Sequence, residues 1–158
     1  LILYRHRQIG WKLIAGTLLG FGVAIGMTFA LSPATRAAAP WLLYALYGLL
    51  ALGLALYSTL TVEVDAEEIR VRFGIGFYRR TVPLADVVRS EVVRTRFWWG
   101  VGLRWTPAGW LYNIGGREAV RLELARERPV MIGSDEAPRL KSVVDAQLAL
   151  RGTRTTTT

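Results

Sequence analysis

The sequence predicts an α+β protein: a hairpin of two transmembrane helices, then seven antiparallel strands rolled on themselves and closed by one C-terminal helix. Three observations carry that prediction. Residues 13–31 and 41–60 contain no charged side chain, and each is long enough to cross a ~30 Å hydrocarbon core at 1.5 Å per residue. From about residue 62, apolar residues recur at every second position, the period of a half-buried strand. From about residue 134 the spacing becomes helical.

Composition supports a chain in two parts. Its 158 residues hold 20 Lys and Arg against 12 Asp and Glu, a formal net charge of +8, with 52% hydrophobic residues and a mean hydropathy of +0.29. Such hydrophobicity argues against disorder. Residues 1–60 hold four basic residues (Arg5, Arg7, Lys12 and Arg36) and no acid, whereas residues 61–158 hold sixteen bases and all twelve acids. A uniform soluble enzyme is a poor description of that distribution. With no cysteine, disulfides, thiolate nucleophiles and zinc–sulfur sites are excluded. His6 is the only histidine, so one chain can build neither a histidine metal cluster nor a Ser-His-Asp relay. Asp65, Glu67 and Glu68 form no calcium-binding ladder and read as a turn between strands. No metal or cofactor is expected.

Residues 1–12 read as a basic flank. Trp11 and Lys12 open the first span, Trp41 opens the second and Tyr57 lies near its end, where interfacial anchors belong. Residues 32–40 hold two prolines and one arginine and form a short extracytoplasmic loop, so the spans are antiparallel. Basic residues concentrate before the first span (Arg5, Arg7, Lys12) and after the second (Arg70, Arg72, Arg79, Arg80), which places both termini on the cytoplasmic side. A cleaved signal peptide is the rival for the first span, with Ala37–Ala39 as the cleavage site. The apolar run exceeds the 7–15 residues typical of such a peptide, and the retained helix is the preferred reading.

Within the first span, Gly16 with Gly20 and Gly22 with Gly26 are two small-xxx-small pairs about 120° apart on the helix. One pair suits packing against Gly48, Ala51 and Ala55 of the second span. The other suits self-association with a second copy. The alternative is that these glycines are simply common membrane-helix residues.

Residues 61–152 form the polar domain. Val62, Val64, Ile69, Val71 and Phe73 alternate, with Asp65–Glu68 as a turn between two strands. Gly74-Ile75-Gly76 turns into a third strand over 77–82, which Pro83 ends. A longer strand covers 87–97, with a bulge near Val92-Val93. Strands over 109–114, 120–124 and 130–132 follow. Ser134 or Asp135 caps a helix with Pro138 in its first turn and Leu140, Val143, Val144 and Leu148 on one face. Gly152 ends that helix, and residues 153–158 form a disordered tail.

Four of the six tryptophans fall within the nineteen residues of WWGVGLRWTPAGWLYNIGG, positions 98–116. Three readings stand. The indoles fill the core while glycines make hairpin corners. Trp98 and Trp99 sit at the lipid interface. Or the segment is a recognition surface in which Arg104 offers bidentate or cation–π contacts.

With Arg79-Arg80-Thr81-Val82-Pro83-Leu84 before it and Ile132-Gly133-Ser134-Asp135-Glu136 after it, this segment resembles the small bacterial membrane-anchored pleckstrin-homology (PH)-like domain proteins. The spacings Gly100-x-Gly102-x-Arg104 and Gly109-Trp110-Leu111-Tyr112-Asn113 are the most specific part, and the resemblance spans roughly residues 11–150. Ser134 stands where threonine is expected. The resemblance implies a PH-like β-barrel behind two helices, a two-pass location in the bacterial inner membrane, and a non-enzymatic role in binding or assembly. It brings no catalytic residue. The candidate surface is Arg79, Arg80, Trp98, Trp99, Arg104 and Tyr112, and the expected partner is another membrane protein or a peptide at the cytoplasmic face. The alternative is anionic-lipid headgroup binding, with Arg70, Arg72, Arg79 and Arg80 supplying the charge. No nucleic-acid partner is expected, because the domain's arginines are interleaved with acids.

Overall fold

Two apolar helices leave one end of a pair of packed β-sheets. The computed structural model describes residues 2–38, 40–95 and 102–155. Helix α1 covers Trp11–Ala30 and α3 covers Pro40–Tyr57, joined through a short α2 at Pro33–Ala38. Both long helices match the expected spans to within a few residues. They are long and apolar enough to cross a membrane, and almost none of either is buried within the chain. The expected loop contains α2 because Pro33 fits a first helical turn, where a backbone donor is not needed.

α1 and α3 touch along one seam. The Phe21 and Tyr47 rings stack at 6.1 Å with 2° between their planes. The Thr28 hydroxyl bonds the Tyr47 hydroxyl at 2.9 Å and donates to the Ala24 carbonyl at 2.8 Å. A polar bond of this kind suits an apolar surrounding, where an unmet hydroxyl is costly.

The strands form two sheets. β1 (Ile2–Ile9), β2 (Thr59–Asp65), β3 (Glu68–Phe73) and β4 (Tyr78–Pro83) lie in that order, all antiparallel. The second sheet has the order β5 (Val87–Arg94), β8 (Glu118–Leu124), β9 (Val130–Gly133), β7 (Gly109–Asn113), β6 (Gly102–Thr106), with β7 and β9 parallel. Helix α4 (Ala137–Thr155) packs on β1, β5 and β8. One core joins both sheets to this helix: Leu60, Val62, Ile69, Val71 and Phe73 meet Tyr112, Val120, Leu122 and Ile132, with Leu140 and Val144 closing over them. Burying each such aliphatic side chain contributes roughly 1.5–3 kcal/mol.

The α+β class therefore stands, and several finer expectations do not. Among the described residues nine strands form rather than seven and no ladder joins the two sheets, so the rolled sheet does not close there. The chain passes between sheets through Pro83 and a single 3-10 turn at Leu84–Asp86, where proline cannot extend the ladder. The register irregularity of β5 falls between Val87 and Arg89, where the strand leaves that turn, rather than at Val92-Val93. Helix α4 runs through Gly152 to Thr155, so the helix does not stop there; residues 156–158 lie outside the described residues. The basic flank is β1, paired in register with β2 from Arg5 opposite Glu63 to Ile9 opposite Thr59. The two apolar helices are thus inserted between two adjacent strands of one sheet.

Only Gly10 and Ser58 separate sheet from helices, and the Gly10 amide donates to the Ser58 carbonyl at 2.8 Å. The turn after β3 abuts the end of α3. Gly74 takes φ +54°, and a Cβ there would meet the Ala55 and Leu56 carbonyl oxygens at 2.3 and 2.4 Å. Tyr57 meets Phe73 edge-on at 6.1 Å.

Candidate functional site

Strand alternation sorts the arginines. Val62, Val71 and Val82 point into the core, so their neighbours on the first sheet face outward. One outward row reads Arg7, Thr61, Arg72, Arg79 across β1 to β4, and the next reads Arg5, Glu63, Arg70, Thr81. The nearly buried Glu63 carboxylate accepts from Arg72 and lies 3.3 Å from Arg5. Arg70 pairs with Glu68 and, at 3.1 Å, with Asp65. The amides of Glu67 and Glu68 donate to Asp65. The Glu67 bond foremost holds the Asp65 carboxyl below its usual range, with Arg70 adding to the effect. Arg7 and Arg79 have no carboxylate partner among the described residues.

The structure separates the predicted site residues. Arg79 belongs to the outward row. Arg80 lies on the opposite side of β4, paired in register with core residue Val71, and its guanidinium bonds Glu127 in the turn after β8. Arg104 is exposed on the edge strand β6. Tyr112 is not a surface residue: it is 1% exposed, packs against Phe73 and Tyr78, and its hydroxyl lies 3.2 Å from that of Tyr78. Burial foremost, then the Tyr78 contact, raises its pKa. Trp98 and Trp99 lie outside the described residues.

Trp105 and Trp110 do not fill the core either. They face each other across β6 and β7 at exposures of 60% and 40%. The Arg128 guanidinium stacks over Trp105 at 5.2 Å, a cation–π contact. Gly109 makes this hairpin possible: at φ +121° it lies so close to Pro129 that a Cβ would fall 2.0 Å from the Pro129 carbonyl oxygen. The Trp110 amide then donates to that oxygen at 3.0 Å.

Of the four glycines on α1, only Gly20 approaches the second helix, where a Cβ would lie 3.6 Å from the Leu50 Cδ2, whereas Gly16, Gly22 and Gly26 face open space. The helix seam uses Phe21, Ala24 and Thr28 instead. His6 links β1 to the start of α4, its Nε2 2.6 Å from Asp135 and its Nδ1 3.7 Å from Glu136. Among the described residues no group of three or more His, Asp or Glu side chains converges as a metal site would require.

No family model, curated protein or solved structure matches this chain. The geometry alone identifies two surfaces. One is the outward arginine row near the helices. The other is the Trp105–Trp110 hairpin, at the far end of β6 and β7 from Gly102, where a Cβ would lie 3.5 Å from the Tyr57 ring. Sequence reasoning missed Arg5 and Arg7 as members of the first surface and Trp105–Trp110 as the centre of the second. The alternation of Tyr4, His6 and Gln8 with Arg5 and Arg7 was the available signal for the former.

Proposed function

We propose that this chain is a non-enzymatic, two-pass membrane protein whose β-domain docks another membrane protein or a peptide through the Trp105–Trp110 hairpin. The observation that carries this reading is the pair of exposed indoles on an edge hairpin. Exposed tryptophans beside arginine are the residues that dominate binding energy in protein interfaces. Among the described residues β6 also has a strand neighbour on one side only, and such an edge accepts an added strand. The finer fold assignment is PH-like: strands that are antiparallel except for the β7–β9 pair, in two packed sheets with a C-terminal helix over the core, support it. The basic residues on both flanks of the hairpin support placing both termini on the cytoplasmic side of a bacterial inner membrane. Self-association through Gly22 and Gly26 is a further part of the proposal, supported by their facing away from α3.

A photo-crosslinking residue in place of Trp105, in the intact chain in its own membrane, tests the docking surface. One defined adduct is expected there and none from the same residue in place of Arg89 on β5. Equal adducts at both positions, or none at either, contradict the reading.

A further inference from the structure

We infer that the end of α3 controls the β6 docking edge: Tyr57 seats the base of the β6–β7 hairpin, so that a change in tilt of the membrane helices is read at Trp105. This regulation rests on the docking role of that hairpin and on α1 and α3 spanning a membrane. The base of the hairpin is its Gly102–Asn113 end, and both strands meet a helix terminus there. Gly102, at φ +104°, turns its bare face to Tyr57, where a Cβ would lie 3.5 Å from the ring Cε1. Ile114, next after β7, meets the start of α1: a Cβ on Gly10 would lie 3.2 Å from its carbonyl oxygen. From Tyr57 the contact continues inward through aromatic rings. Phe73 lies 6.1 Å from Tyr57, edge-on, and Tyr112 lies 6.1 Å from Phe73. Tyr112 and Trp110 share one face of β7, and Trp110 stands opposite Trp105. Close-packed rings of this kind transmit displacement rather than absorb it.

The junction has no slack. Gly10 and Ser58 alone stand between the helices and β1 and β2, and they are bonded to each other. A tilt of α3 is therefore not taken up by a linker and moves Tyr57 against the sheets. α3 has 18 residues, about 27 Å at 1.5 Å per residue, close to the ~30 Å hydrocarbon thickness, so a thinner or thicker bilayer changes its tilt. The response falls on β6 rather than β7. β7 is held at its tip, where the Trp110 amide donates to the Pro129 carbonyl and Trp110 pairs with Val130 of β9. That bond turns the Trp110 amide away from β6, so Trp105 and Trp110 form a non-hydrogen-bonded pair and the Trp105 N–H and C=O face the open edge. These are the groups that an added strand would use. β6 has a ladder on one side only among the described residues. Its position therefore depends on Leu103 against the core and on Gly102 against Tyr57.

The test places the intact chain in nanodiscs of dimyristoleoyl- or dieicosenoyl-phosphatidylcholine, which differ in thickness and not in charge. Failure to incorporate overturns the membrane-spanning reading itself. Amide hydrogen exchange over residues 103–106 is then compared with exchange over residues 118–124 of β8. In the wild type, exchange over 103–106 is expected to differ by about threefold or more between the two bilayers, with 118–124 unchanged. Tyr57→Phe keeps the ring and the response. Tyr57→Ala abolishes the response, and so does Tyr57→Leu, which keeps apolar bulk without the planar ring; wild-type exchange over 118–124 verifies the fold of each. A wild type indifferent to thickness, a response that survives in both ring-less variants, or an equal response over 118–124 overturns the inference. The photo-crosslinking residue in place of Trp105 separates regulation from docking. Adding Tyr57→Ala is expected to lower the adduct yield severalfold, and an unchanged yield overturns the inference while leaving docking intact. No adduct with Tyr57 in place overturns the docking reading instead.

Discussion

Gly74 shows at residue scale how the sheet is fixed to the helices. Its amide donates to the Thr59 carbonyl at 2.8 Å, and its α-carbon faces two carbonyls of α3 that leave no room for a side chain. A left-handed conformation costs an L-residue roughly 1–2 kcal/mol, and the backbone clash adds to it. Gly74→Ala is therefore expected to lower unfolding free energy by at least about 2 kcal/mol in detergent denaturation, while Gly22→Ala, in open space, changes it little. Equal losses would show that the junction is not close-packed. The sequence marks Gly74-Ile75-Gly76 as a turn, but a turn's neighbour across the fold leaves no local trace. The tryptophan-rich segment was ambiguous for a related reason. Large aromatics serve cores and surfaces alike, so composition did not separate buried Tyr112 from exposed Trp105. Arg80 and Arg79 are adjacent in sequence, yet strand alternation sends them to opposite faces.

At the scale of elements, the strands rich in Val, Leu and Ile were legible and two others were not. β1 turns Tyr4, His6 and Gln8 toward the interior, so its period of two is written in polar and aromatic residues rather than aliphatic ones. β6 is short and begins at a glycine with φ +104°. Tyr4 is 5% exposed and belongs to the main core, and Arg139 stacks on its ring at 5.8 Å. Tyr4→Ala is expected to cost about 3 kcal/mol of unfolding free energy. Unfolding indistinguishable from wild type would mean that β1 contributes nothing to the domain. The same strand sets a practical limit: a fragment beginning after α3 lacks one of the four strands of its sheet.

For the whole molecule, the division of charge acquires a spatial meaning. Arg5 and Arg7 precede the hairpin in sequence, and Arg70, Arg72 and Arg79 follow it, yet β1–β2 pairing gathers them on one face. Two apolar helices thus emerge between β1 and β2 of a sheet whose arginines crowd their exit, the arrangement expected if hairpin, orientation and domain form one unit. The central claim is that this unit spans a membrane with the sheets on the cytoplasmic side. A sequence without cysteine makes that directly measurable by labelling single introduced cysteines in intact cells with a membrane-impermeant maleimide. Ala34→Cys, in α2, is expected to label from outside, and Arg89→Cys, on β5, only after the membrane is permeabilised. Labelling of Arg89→Cys in intact cells, or protection of Ala34→Cys until permeabilisation, would contradict it.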